Sequence, residues 1–190
     1  MKKLIVLAAF AIFSLATMEA QEISFGLKAG ANFASVNGDD ADNLDGRTSL
    51  HGGAVVNIGL SELIAIQPEV LFSSQGYSFN DEDGDNDVVL DYINIPILVD
   101  VTLAEGFSLQ GGPQVGINVG SKLKFLDEEI DLKDGTESLD LSAAIGAQYR
   151  LPMGVFFQAR YAIGFTNIST EEDVDAKNSV VSLSVGWFFN

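Results

Sequence analysis

The stretch Asn-Ser-Val-Val-Ser-Leu-Ser-Val-Gly-Trp-Phe-Phe-Asn, residues 178–190, decides the fold. Val181, Leu183, Val185, Trp187 and Phe189 fall on one face, and Ser182, Ser184 and Gly186 on the other. Only an extended strand presents such a period of two to two different environments. Both edges of such a strand need partners. No later residues are available to cover an edge, so the expected solution is a sheet closed on itself. This strand then seals against the first one, and its apolar face lies in lipid.

Toward the N-terminus the same alternation recurs at 23–33, 52–60, 64–76, 89–103, 107–119, 139–151 and 155–165. These lengths suit the about 9 to 11 residues that a tilted membrane-crossing strand needs. The links between them alternate. Ser61-Glu62, Ala104-Glu105-Gly106 and Pro152-Met153-Gly154 are tight turns, whereas 37–49, 80–87, 122–137 and 167–177 are long, polar and hold most of the acidic residues. Short turns at one end and long loops at the other are the pattern of a barrel in the cell outer membrane, with the turns and both termini on the periplasmic side. The sequence therefore predicts an all-β fold: an eight-stranded antiparallel transmembrane β-barrel with short periplasmic turns and long acidic extracellular loops.

A soluble barrel with an apolar interior would turn its polar face to water, where Lys and Glu should dominate. Here that face carries Gly112, Gly116, Gly146 and Gly186 with Gln67, Gln110, Gln114, Ser142, Gln148 and Gln158. Small or neutral residues of this kind suit the narrow interior of eight strands. The opposite face belongs in hydrocarbon, with Ile93, Ile95, Ile97, Val99 and Val101 in one strand and Val155, Phe157, Tyr161, Ile163 and Phe165 in another. Aromatic residues fall at two levels, as interfacial girdles do. Phe25, Phe107, Tyr149, Phe157, Trp187 and Phe189 lie toward the short turns, and Phe33, Tyr77 and Phe165 toward the long loops.

At 190 residues the chain holds one domain's worth of sequence. Lys2 and Lys3 followed by the apolar run 4–15 read as a secretory signal peptide over 1–20, leaving 21–190 as the barrel domain. Cleavage after Ala20 fits the small residue there, with cleavage after Ala16 as the alternative. No later stretch reaches the about 18 apolar residues of a helical span. The lack of cysteine excludes a lipid-anchored lipoprotein and a disulfide framework. Removing Lys2, Lys3 and Glu19 turns a net charge of -17 into -18, which argues against nucleic acid as a partner. The partners expected are outer-membrane lipid, lipopolysaccharide and, during insertion, the barrel-assembly machinery.

The central hairpin reads Gln-Pro-Glu-Val-Leu-Phe-Ser-Ser-Gln-Gly at 67–76 and Tyr-Ile-Asn-Ile-Pro-Ile-Leu-Val-Asp at 92–100. With Gly-Leu-Lys-Ala-Gly-Ala-Asn at 26–32, Gly-Gly-Pro-Gln-Val-Gly at 111–116 and the aromatic close, it resembles the PorT-like porin family. The resemblance runs over essentially the whole of 21–190. It implies an eight-stranded barrel in a Gram-negative outer membrane, in a family where one branch is linked to protein secretion and most members have no assigned activity. The chain departs from such families in placing Asn190 after the final aromatic residue.

Parity points Lys28, Glu69, Asp100, Asp140, Arg150 and Arg160 into the barrel. Buried charges need partners, so a lumenal network such as Glu69 with Arg160 or Lys28 is expected. His51 is the only histidine, and it reads as a solvated residue at the base of a loop. The rival reading is a rim enzyme in which Asp45 or Ser49 approaches it. No nucleophile motif accompanies it, so the chain is expected not to be an enzyme. In Asp-Glu-Asp-Gly-Asp-Asn-Asp, 81–87, the carboxylates of Asp81, Asp83, Asp85 and Asp87 are candidate ligands for a divalent cation such as calcium. The run lacks the EF-hand register, and a solvated acidic loop is the plainer reading. The function expected is a structural or interaction role for a barrel with a plugged lumen. The alternatives are a narrow porin for small solutes and an accessory barrel for secretion or adhesion.

Overall fold

Alternating sequence folds into strands that pair all the way round. The computed structural model describes residues 22–38, 44–81, 84–125, 128–171 and 175–189, and the expected signal peptide, 1–20, lies outside them. The strands are β1 (Ile23–Asn37), β2 (Asp45–Gly59), β3 (Ile64–Asp81), β4 (Gly84–Ala104), β5 (Phe107–Phe125), β6 (Glu128–Asp131), β7 (Leu139–Arg150), β8 (Val155–Gly164) and β9 (Lys177–Phe189). A short 3-10 turn, Lys133–Gly135, follows β6. The order β4-β3-β2-β1-β9-β8-β7-β5 is closed by β4 pairing with β5, and neighbours are antiparallel throughout. The seam between the first and last strands runs from Phe25 opposite Phe189 to Asn37 opposite Lys177. The barrel thus has eight strands, and β6 lies beside the ring as a short hairpin partner of the outer end of β5. Among the described residues no helix is long and apolar enough to cross a membrane, so the crossings are strands.

The two faces separate as parity requires. Leu183, Val185, Trp187 and Phe189 of β9 are exposed on the outside, as are Ile97 and Val99 of β4 and Phe157 and Ile163 of β8. An outer surface this apolar is stable only in hydrocarbon. Inward positions are buried and mostly polar, among them Lys28, Gln67, Glu69, Gln110, Gln158 and Arg160. At the closely turned end, Gly106 (φ 75°) and Gly154 (φ 86°) supply the left-handed backbone that a Cβ disfavours. Trp187 Nε1 donates to the Met153 carbonyl at 3.1 Å and ties the last strand to one of these turns.

Proline is placed around one inward residue. The β3–β4 ladder keeps its register from Pro68 opposite Ile97 to Leu71 opposite Asn94, which sets Glu69 opposite Pro96. A proline nitrogen cannot donate to a ladder. The two prolines of the central hairpin therefore flank the lumenal carboxylate of Glu69.

Three expectations are corrected. The long links are shorter than the sequence suggests, because β2 begins at Asp45, β4 at Gly84 and β5 continues to Phe125. Their polar composition hides strand that rises beyond the apolar belt. Tyr77 does not belong to the outer girdle; it shares the inward parity of Gln75 and packs against a buried apolar cluster inside the mouth. His51 is not solvated but 5 % exposed within the lumen, because β2 has already been running for several residues when it reaches His51.

Closure is checked in two ways. Unboiled protein in detergent should run ahead of boiled protein on a gel, the behaviour of a closed barrel. Ala31→Cys with Leu183→Cys, which the seam sets opposite one another, should crosslink under mild oxidation. Pairing Ala31→Cys with Val185→Cys should crosslink far less, and equal yields would contradict the register.

Candidate functional site

The candidate site is the lumen with its outer mouth, and it is layered. At the closely turned end the doublets Phe156-Phe157 and Phe188-Phe189 each send one ring inward. Phe156 and Phe188 are buried with Val55, ring centroids 4.7 Å apart. Each inward ring stands opposite a glycine, Phe156 opposite Gly186 and Phe188 opposite Gly26. A Cβ at Gly186 would come within 2.3 Å of the Phe156 ring, so no larger residue fits there. The Arg150 guanidinium lies 4.6 Å from the centre of the Phe188 ring, a cation-π contact.

The middle layer is ionic. Arg160 forks onto Glu69, Nη1 to Oε2 at 2.8 Å and Nη2 to Oε1 at 2.7 Å. Lys28 Nζ meets Glu69 Oε2 at 2.8 Å and donates to Gln158 Oε1 at 2.7 Å. Gln67 Nε2 adds a fourth donor to Glu69 at 2.9 Å. The amides carry the network on: Gln158 Nε2 donates to Gln110 Oε1 at 2.6 Å, and Gln110 Nε2 to Asp100 Oδ2 at 2.6 Å. The expected pairing of Glu69 with Arg160 or Lys28 is therefore present with both cations at once. Asp140 takes no part in it; it accepts from Thr166 Oγ1 at 3.0 Å and Asn178 Nδ2 at 3.3 Å.

His51 Nε2 lies 2.8 Å from Ser184 Oγ, across the β1 strand, and neither Asp45 nor Ser49 is its partner. The void beside His51, Lys28, Asn94 and Arg160 is about 20 Å³, room for about one water. His51 Nδ1, Asn94 Oδ1 and Arg160 Nε make no hydrogen bond to protein there.

At the outer end Val36, Val88, Leu90, Tyr92, Ile168 and Ala176 form a buried apolar cluster, with Tyr77, Phe79, Leu123 and Leu132 packed against it. Two links are folded over this cluster and tied together, Glu137 N–H donating to the Ile168 carbonyl at 2.9 Å and Thr170 N–H to that of Gly135 at 3.2 Å. On the exposed hairpin beside them, Lys122 Nζ donates to Glu129 Oε2 at 2.8 Å. This bond holds the Glu129 carboxyl below its ordinary range and the Lys122 amine above its own.

Of the four candidate cation ligands, Asp87 has both oxygens engaged: Oδ1 accepts from Ser78 Oγ at 2.6 Å and Oδ2 lies 3.5 Å from Arg47 Nε. Asp83 and the side chains of Asp81 and Asp85 lie outside the described residues. Among the described residues no group of three or more acidic or imidazole side chains is gathered as a metal site. Sequence reasoning missed the inward rings of Phe156 and Phe188 and the apolar mouth, although parity within each doublet carried the signal.

Comparison with known proteins then places the architecture. A family model described as outer membrane protein beta-barrel domain matches residues 19–170. No curated protein matches the sequence. Among solved structures, Neisserial surface protein A is similar with a TM-score of 0.61 at 13% identity, over 88% of this chain and 99% of that one. Ail, the attachment invasion locus protein of Yersinia pestis, in complex with the heparin analogue sucrose octasulfate, is similar with a TM-score of 0.56 at 17% identity, again over 88% and 99%. At these identities the likeness is one of fold.

The ionic layer generates a prediction. Glu69→Ala leaves Lys28 and Arg160 side by side without their carboxylate and should destabilise the barrel by about 3 to 5 kcal/mol. Adding Arg160→Ala should recover part of the loss. Urea unfolding followed by Trp187 fluorescence measures both, and strictly additive losses would show that the two side chains are not coupled.

Proposed function

The chain belongs to the outer membrane protein beta-barrel domain family, and we propose that it acts as a non-conducting scaffold whose extracellular end presents a folded acidic surface. The protein is an outer-membrane β-barrel. The observation that carries the proposal is the central layer, where Glu69, Lys28, Arg160 and Gln158 bond across the lumen and the remaining void is about 20 Å³. A hydrated ion is wider than such a void. Passage would require breaking the bidentate pair and leaving charges unpaired in a dry interior, which costs several kcal/mol. The rings at one end and the apolar cluster at the other support the same reading.

Within the family, the motifs around Glu69 support a place near the PorT-like porins. A scaffold needs no chemistry, and the arrangement around His51 favours a non-enzymatic role: its hydroxyl partner is buried and no carboxylate bonds its other nitrogen. Lipid and lipopolysaccharide are the partners proposed for the apolar belt. The secretion and adhesion readings share this scaffold and differ in what it displays. Ail was crystallised with a polyanion. Here Asp131, Asp134, Glu137 and Glu171 are exposed on the outer links, so complementarity favours a cationic partner.

Planar-bilayer recordings test the proposal. The wild-type protein should give no steady unitary conductance, and Glu69→Ala combined with Phe156→Ala should give frequent openings. Steady channels from the wild-type protein would replace the scaffold reading with that of a narrow porin.

A further inference from the structure

The two links folded over the mouth leave a cavity of about 290 Å³ between them and the outer strands. Its floor is Tyr77, Val88, Leu90 and Ile168, and Leu132 closes one side. Val88, Leu90 and Ile168 belong to the buried cluster, so this floor is packed from below. The walls are held by hydrogen bonds, Leu132 N–H to the Ser121 carbonyl at 2.9 Å and Thr136 Oγ1 to the Leu132 carbonyl at 2.9 Å. Asp131 and Asp134 line the entrance and are exposed. The cation between them is turned away, with Lys133 Nζ bonded to the carbonyl and the side-chain oxygen of Asn118 at 2.8 and 3.0 Å. Asp131 Oδ1 accepts from the Lys133 backbone N–H at 2.8 Å, and among the described residues no salt bridge engages either aspartate.

We propose that this cavity binds a small organic cation with an apolar body, an arylalkyl ammonium. The ring would lie on Val88, Leu90 and Ile168, and the ammonium would sit between Asp131 and Asp134. Both halves of the ligand are dictated by the walls. An inorganic cation finds too few oxygens, since calcium takes about six to eight. An anion meets two carboxylates at the entrance. A neutral apolar molecule gains the floor but brings the carboxylates no counter-charge. The volume is at the lower edge of the about 300 to 1,000 Å³ of small-molecule sites, which suits one ring and a short chain. This inference goes beyond the scaffold reading and holds whether or not the lumen conducts.

The test is titration calorimetry on the whole barrel in lipid nanodiscs with 2-phenylethylamine, using ethylamine and 3-phenylpropionate as matched controls. Saturable binding is expected for 2-phenylethylamine and binding weaker by about tenfold or more for both controls. Asp131→Asn with Asp134→Asn, both at exposed positions, should weaken 2-phenylethylamine by about tenfold while heat-modifiable migration is kept. Ile168→Asn should weaken it through the floor, and the exposed pair decides the matter if that variant does not fold. No saturable binding overturns the proposal. So does equal binding of ethylamine, which means a negative coat only, or of 3-phenylpropionate, which means apolar partition only.

Discussion

A backbone amide in hydrocarbon has no water to turn to, and every N–H and C=O left unpaired there costs several kcal/mol. For a chain of strands this leaves one solution, a ring without edges, and the pairing of β1 with β9 along thirteen residues of β1, Phe25 to Asn37, supplies it. The other features follow from that closure. Eight strands enclose a space that side chains fill. The alternation that puts Leu183 and Val185 in lipid also puts Ser184 and Gly186 inside. Once the ring is closed, the chemistry of the lumen is no longer free, because whatever points inward is buried with whatever points inward from the other side.

Glu69 shows what this requires. A carboxylate buried at 2 % exposure is tolerable only if donors replace its water. It receives Arg160 from β8, Lys28 from β1 and Gln67 from its own strand. These come from distant parts of the chain, so the network forms only when the seam is shut. Pro68 precedes Glu69 in β3 and Pro96 stands opposite it in β4, and neither proline can donate to the ladder there. A charged cluster joining β1, β3 and β8 therefore specifies which strands face one another across the lumen, where purely neutral inward residues would not. Its contribution is to the uniqueness of the barrel more than to its net stability, since a buried ion pair does little better than apolar packing.

The ring and the ionic layer were legible in the sequence because both rest on parity. Parity is local, and it survives whatever the rest of the chain does. His51 was misjudged because the stretch from Arg47 to Gly53 mixes small and polar residues, which blurs the period and makes strand look like loop. Phe156 and Phe188 were overlooked for a different reason. Each sits in an aromatic doublet whose members face opposite ways, and the inward ring is accommodated only because a glycine from the neighbouring strand faces it. That complementarity joins Phe156 to Gly186, thirty residues away, and appears only when the register is known. The mouth cluster was hidden for a third reason. Tyr77 reads as a girdle residue and Leu90 as part of a membrane strand, and the acidic run between them hides that both, with Val88, face the same interior.

The same argument explains why the outer end is folded rather than loose. Beyond the membrane, a strand ladder meets water and its hydrogen bonds lose most of their net worth. Extension of β3, β4 and β5 past the apolar belt must then rest on burial of side chains. The inward parity of Tyr77, Val88 and Leu90 continues the lumenal face upward, but without a barrel wall on every side these residues would be open to water. Ile168 and Ala176 from the last link cover them, and the Ile168 N–H bond to the Ala176 carbonyl at 2.8 Å pinches that link into the shape that does so. Asp131, Asp134, Glu137 and Glu171 are left on the outside of this small core. Their mutual repulsion would unravel an unsupported loop, so an intensely negative rim and a tightly packed apolar mouth are two sides of one constraint: the first can be displayed only because the second holds its backbone in place.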